Sequence, residues 1–144
     1  MKLIIYTDGG SRGNPGPAGI GVVICDEKGK AIKKYGEAVG EKTNNEAEYE
    51  AVIFALKKTR ALYGRQKAAD MEIEIRSDSE LITRQLNHRY KIKEENLQPL
   101  FIAVWNLTLD FKNVIFKEVS RERNKEADEL VNQALDLKQN GLFQ

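Results

Sequence analysis

The sequence is short of the features that mark several protein classes. Its one cysteine, Cys25, cannot close an internal disulfide, so nothing argues for a secreted, disulfide-stapled fold. No run approaches the roughly 18 consecutive apolar residues of a membrane span. The opening MKLIIYTDGG has an apolar stretch too short for a signal-peptide core, and it meets Asp8 at once. A cytoplasmic protein with no membrane association is therefore expected. Charge of one sign is also lacking: the formal net charge is +1, so any surface that attracts a polyanion must be local. Only three prolines occur, and there is no internal repeat or low-complexity tract. What is present is ordinary for a globular chain. With 41% hydrophobic and 31% charged residues, 144 positions suit one domain, 1–144, with its own core.

Periodicity predicts an α/β fold. Residues 2–7 read as a strand that stops at the turn signal Asp8-Gly9-Gly10, and Gly13-Asn14-Pro15-Gly16-Pro17 is a denser turn cluster. Residues 20–24 and 31–39 read as strands joined by a hairpin at Asp26-Glu27-Lys28-Gly29. A helix from Glu46 to Tyr63 carries an apolar stripe of Val52, Ala55, Leu56, Thr59 and Leu62. Residues 71–77 alternate, with Met71, Ile73 and Ile75 on one face and Glu72, Glu74 and Arg76 on a solvent face. Ser77-Asp78-Ser79 caps a short helix through Leu86, Glu94–Phe111 reads as a helix, and 114–119 as a strand. A last helix, Asn124 to Leu137, turns Ala127, Leu130, Val131, Ala134 and Leu137 inward. The order β-β-β-α-β-α-α-β-α implies a mixed five-stranded sheet covered by helices. Three antiparallel strands come first, and two further strands add in parallel.

Four acids sit at the ends of these elements: Asp8, Glu48, Asp78 and Asp128. Singly, each has an ordinary explanation as a turn former, helix-dipole partner or cap. Together they would lie where open α/β sheets place their sites, at strand carboxyl ends and helix starts. Crowded carboxylates repel unless cations hold them, and hard oxygen ligands suit Mg²⁺ or Mn²⁺. Two such ions about 3.5–4 Å apart serve phosphodiester hydrolysis. Glu46 and Glu50 compete with Glu48 as the second acid.

Five segments carry a resemblance: Tyr6-Thr7-Asp8-Gly9-Gly10-Ser11, Gly13-Asn14-Pro15-Gly16-Pro17, Thr43-Asn44-Asn45-Glu46-Ala47-Glu48, Ser77-Asp78-Ser79 and Asn124-Lys125-Glu126-Ala127-Asp128. In this order and spacing the chain resembles type 1 ribonuclease H, in a short form without the long basic protrusion of some relatives. The resemblance implies the ribonuclease H-like fold, with Asp8, Glu48, Asp78 and Asp128 as catalytic acids and metal ligands. Its spacing after Thr43-Asn44-Asn45 selects Glu48 over Glu46 and Glu50. It implies two Mg²⁺ ions, with Mn²⁺ as substitute, and hydrolysis of the RNA strand of an RNA–DNA hybrid to 5′-phosphate and 3′-hydroxyl ends.

The same resemblance places Asn14, Asn44 and Asn45 beside the RNA strand and Thr43 at a DNA phosphate. Asparagine offers both donor and acceptor, as the 2′-hydroxyl does. All four residues also suit turns and N-caps. Arg89, Lys91 and Lys93 alternate with Tyr90 and Ile92, and are the expected basic contact to the duplex. Two departures stand out. Glu80 follows Ser79 where many relatives carry Gln. The loop Val119-Ser120-Arg121-Glu122-Arg123 lacks the histidine many relatives have, leaving Glu122, Arg123 and Asn124 as auxiliary candidates. His88, the only histidine, is expected at the surface. A monomer is expected. Two readings compete with the hybrid nuclease: a resolvase- or integrase-like DNA nuclease of the same fold, and a non-catalytic hybrid-binding module.

Overall fold

A computed structural model describes residues 1–140. Its strands are β1 (Lys2–Ser11), β2 (Gly16–Asp26), β3 (Ala31–Lys42), β4 (Glu72–Ser77) and β5 (Asn113–Glu118). Its helices are α1 (Asn44–Tyr63), α2 (Arg65–Ala68), α3 (Glu80–Leu86), α4 (Gln98–Thr108) and α5 (Lys125–Gln139), with a 3-10 turn at Glu122–Asn124. The sheet order is β3-β2-β1-β4-β5. The first three strands pair antiparallel, and β4 and β5 add in parallel. This is the expected mixed sheet.

The alternating strand pattern divides the interior into two layers. Leu3, Ile5, Val22, Ile24, Ile73 and Ile75 face α1 and α4 in the larger core. Ile4, Val23 and Cys25 face Ala127 of α5 on the other side. At about 25 cal/mol per Å² of apolar surface, side chains like these supply most of the stabilisation.

Several elements differ from the sequence reading. β1 does not stop at Asp8. Gly9, Gly10 and Ser11 pair with Ile20, Gly19 and Ala18, so the apparent turn is strand and Asp8 lies within it. The glycines there serve close packing instead of a turn. A Cβ on Gly9 would come within 2.2 Å of the Ala47 carbonyl oxygen of α1. β3 runs on to Lys42. The helix expected over Glu94–Phe111 is shorter: α4 begins at Gln98, where Pro99 fits a first helical turn, and ends at Thr108. Residues 94–97 stay outside it, and a short α2 follows α1. Glu74 is not a solvent-face residue: it is buried, with Arg76 at 2.6 Å and Lys2 at 3.4 Å. Leu62, from the apolar stripe of α1, and Leu137, expected inward, are exposed. Leu135, not Leu137, is the buried leucine near the end of α5.

Candidate active site

Three elements bring their acids together at one end of the sheet. Asp8 comes from β1, Glu48 from the second turn of α1, and Asp78 from the junction of β4 and α3. One carboxylate oxygen from each lies within 4.8 Å of the others. Asp128, in the first turn of α5, lines the same cavity of about 300 Å³ and is the exposed member of the four.

Two glycines permit this approach. At Gly9 the α1 backbone comes so near β1 that the Gly9 N–H donates to Glu48 Oε1 at 2.7 Å. Gly21 is the cross-strand partner of Asp8. A Cβ there would meet the Ala127 carbonyl oxygen at 2.0 Å, so its absence lets the turn carrying Asp128 descend onto the sheet.

Burial and mutual repulsion perturb the cluster strongly. Burial raises the Asp8 carboxyl to about 9, with the charges of Glu48 and Asp78 and a hydrogen bond shared with Asp128 adding to the shift. Burial also raises Glu48, to about 7, against the lowering effect of the Gly9 N–H. The set is hard, oxygen-only and over-supplied with negative charge, which is the chemistry of a divalent-cation site.

The rivals for the second acid are occupied elsewhere. Thr43 caps α1 and accepts from the Glu46 N–H at 3.1 Å. The Glu46 carboxylate reaches back to the Thr43 N–H at 2.8 Å, a reciprocal capping box. That backbone hydrogen bond holds the Glu46 carboxyl below its ordinary value. Glu50 faces Lys42 at 3.8 Å.

The expected substrate residues fall in two groups. Asn14, in the exposed β1–β2 loop, accepts from the Asn44 N–H at 2.9 Å. Asn44, also exposed, accepts from the Ser11 N–H at 3.3 Å and lines the carboxylate cavity. Asn45 follows, half-buried, in the same first turn of α1 as the Thr43 cap. Arg89, Lys91 and Lys93 lie apart on an exposed segment between α3 and α4. Tyr90 in that segment donates to Glu80 at 2.7 Å, and the Arg84 guanidinium lies 5.5 Å from the Tyr90 ring centroid. Arg84 also lies 3.7 Å from Glu80, so Glu80 is engaged by its own neighbours. His88 is exposed, as expected.

The loop before Asp128 holds the three auxiliary candidates in different surroundings. Glu122 and Arg123 are exposed and do not line the carboxylate cavity. Asn124 is buried and donates to the Thr7 carbonyl at 2.9 Å, so it ties the end of this loop to the strand carrying Asp8. The loop residue that faces the acids is Arg121, 3.9 Å from Asp78. Arg12 also lines the cavity. Neither arginine stands out in the sequence, because nothing in its spacing separates it from the other arginines. A larger cavity of about 460 Å³ between α3, α4 and β5 is lined by Phe101, Trp105 and Phe116 and includes no carboxylate.

The reverse transcriptase-like family matches residues 6–134, which takes in all four acids. The chain belongs to the type 1 ribonuclease H family. It is 37% identical to the ribonuclease HI of Halobacterium salinarum over 94% of this chain and 65% of that protein. It is also 37% identical to a bifunctional protein of Mycobacterium tuberculosis, of which it spans only 36%. Among solved structures it resembles LC11-RNase H1 in complex with an RNA/DNA hybrid, with 50% identity and a TM-score of 0.88 over 93% of this chain and 96% of that one. The RNase H1 structure from Halobacterium salinarum matches with 36% identity and a TM-score of 0.86, over 94% and 98% of the two chains. The mixed sheet with helices on both faces is the ribonuclease H fold.

Proposed function

We propose that the chain is a metal-dependent endonuclease that hydrolyses the RNA strand of RNA–DNA hybrids. The observation that carries this reading is the meeting of Asp8, Glu48 and Asp78 within 4.8 Å, with Asp128 beside them and the Asn14–Asn44 pair on the same rim. The relative solved with an RNA/DNA hybrid, at 50% identity over nearly its whole length, supports the substrate class.

Asp8, Glu48, Asp78 and Asp128 would hold two Mg²⁺ ions, with Mn²⁺ as substitute. Bound there, the cations supply Lewis-acid stabilisation of charge building on the attacking and leaving oxygens. The protein's own groups do the rest. The Gly9 N–H fixes the orientation of Glu48. Asp128, the exposed acid, presents its carboxylate on the substrate side. Asn14 and Asn44 each use the amide oxygen inside the protein, which leaves their amide N–H groups for the RNA strand. Thr43 stands one residue before Asn44 for a DNA phosphate, and Arg89, Lys91 and Lys93 supply basic contact farther along the duplex. Water attacks and the bond to the 3′ oxygen breaks, so the ends are 3′-hydroxyl and 5′-phosphate. The reading extends to a single catalytic domain over 1–144, working as a monomer in the cytoplasm. No helix among the described residues is long and apolar enough to cross a membrane.

The test is cleavage of a labelled hybrid with and without Mg²⁺, beside a DNA duplex of the same sequence. Metal-dependent cutting confined to the RNA strand is expected. Cutting of the DNA duplex at a similar rate would favour a resolvase-like nuclease, and binding without cutting a non-catalytic module. A 2′,3′-cyclic phosphate end would overturn attack by water.

A further inference from the structure

Arg12 enters the carboxylate cavity from the β1–β2 loop, yet its guanidinium is already engaged. One terminal nitrogen donates to Asp136 Oδ1 at 2.7 Å and to the Asn132 carbonyl at 3.5 Å. The other donates to Gln139 Oε1. All three partners lie on the last turns of α5. The Arg12 N–H closes the loop on the Pro17 carbonyl at 2.8 Å. Two residues on, Asn14 accepts from the first turn of α1. The loop is thus held at both ends, by α5 through Arg12 and by α1 through Asn14.

We infer that Arg12 is a positioning residue. Clamped by Asp136 and Gln139, it sets the β1–β2 loop so that Asn14 meets the RNA strand, and α5 thereby contributes to hybrid recognition from its far end. This rests on the functional reading above. A guanidinium in an acidic cleft would otherwise be expected to bind a phosphate directly. Arg12 differs because its planar donor fork is committed to fixed acceptors before any substrate arrives.

The sign of one substitution separates the two roles. Asp136 is an exposed acid paired with Arg12, so Asp136→Ala removes a charge that repels a polyanion and frees Arg12. Direct phosphate binding therefore predicts tighter hybrid binding in this variant. The clamp predicts weaker binding. Exposed pairs of this kind shift an equilibrium by up to about fivefold, so KM should rise about three- to fivefold with kcat within about twofold. Asp136→Asn keeps an acceptor and should recover part of the loss. Arg12→Ala and the double variant Arg12→Ala/Asp136→Ala should have equal KM values, because both act through one contact. The measurements are steady-state cleavage of an RNA–DNA hybrid and hybrid affinity without turnover, with melting temperature confirming that each variant is folded. An unchanged or lowered KM in Asp136→Ala, or additive losses in the double variant, would overturn the clamp while leaving an active wild type intact. A wild type that leaves the hybrid uncut would instead overturn the functional reading.

Discussion

The Gly9 N–H donates to Glu48 Oε1 at 2.7 Å, and this hydrogen bond welds the strand carrying one acid to the helix carrying the next. It exists because α1 lies so close to β1 that any side chain on Gly9 would strike the Ala47 carbonyl. Gly21, opposite Asp8, does the same for α5 and Asp128. Two missing β-carbons thus set the spacing of the acids, and the surrounding core holds that spacing.

Gly9→Ala and Gly21→Ala should therefore damage the site more than the fold. Each added methyl meets backbone, which cannot move aside as a flexible side chain would. Overpacking of this kind costs about 1–3 kcal/mol. The larger effect is on geometry: a displacement of about 1 Å lowers turnover by roughly a hundredfold. Thermal unfolding and kcat should be measured together. Wild-type kcat in both folded variants would show that the close approaches do not set the site.

Much of this was readable in advance, for identifiable reasons. The five strands are legible as short runs of strand-favouring residues bounded by turn signals, and in 71–77, where apolar and polar residues alternate, Ile73 and Ile75 face the core as that pattern requires. Asp8-Gly9-Gly10 misled because glycines that admit a neighbouring helix look the same in sequence as glycines that turn the chain. The burial of Glu74 is not legible in sequence, because it depends on Lys2 and Arg76, contacts that alternation does not encode. Family spacing favours Glu48 over Glu46, and the capping box occupies the Glu46 carboxylate. The roles of Arg12 and Arg121 are not legible in sequence because their partners, Asp136 and Asp78, lie far away along the chain.

Asp78→Asn should abolish hybrid cleavage and leave the protein folded. The side chain keeps its shape and loses the charge that a cation site needs. Even groups that only support a metal ligand cost 10–100-fold, so a drop of more than about a hundredfold is expected. Without metal the variant should melt no lower than wild type, since one source of repulsion on Asp8 and Glu48 is gone. Near-normal turnover in Mg²⁺ would remove Asp78 from the catalytic set.

The metal-free protein should lose stability as pH rises. Asp8 and Glu48 start from ordinary values of 3.8 and 4.5 and are both raised in the folded state. Between the unfolded and folded values the folded chain holds more protons, so stability declines with pH. The stabilisation is complete below about pH 4 and is lost as pH climbs through the raised values, toward about 9 for Asp8. In EDTA the melting temperature should fall from about pH 5 to about pH 8.5, and Asp8→Asn should flatten the decline. Mg²⁺ binds only the folded site and should restore stability most at the upper end. A melting temperature that rises across this range in EDTA would contradict the raised values.

Lys91→Ala with Lys93→Ala should weaken hybrid binding without touching the chemistry. The segment between α3 and α4 is built to present these side chains. Tyr90 is fastened to Glu80, and Ile92 packs against the core while its carbonyl accepts from Gln98. The alternating Arg89, Lys91 and Lys93 are left exposed, and they make no ion pair among the described residues. Free cations on an anchored backbone suit phosphate contact, and each contact releases counterions. Losing two should lower the log–log salt slope by roughly 1.8, at about 0.9 each for a B-like duplex. Affinity should fall most at low salt, where those released ions count most. Single-turnover cleavage at saturating hybrid should match wild type, because neither lysine lines the carboxylate cavity. Dissociation constants over a salt series decide the matter: an unchanged slope would mean that both lysines remain solvated when the hybrid binds.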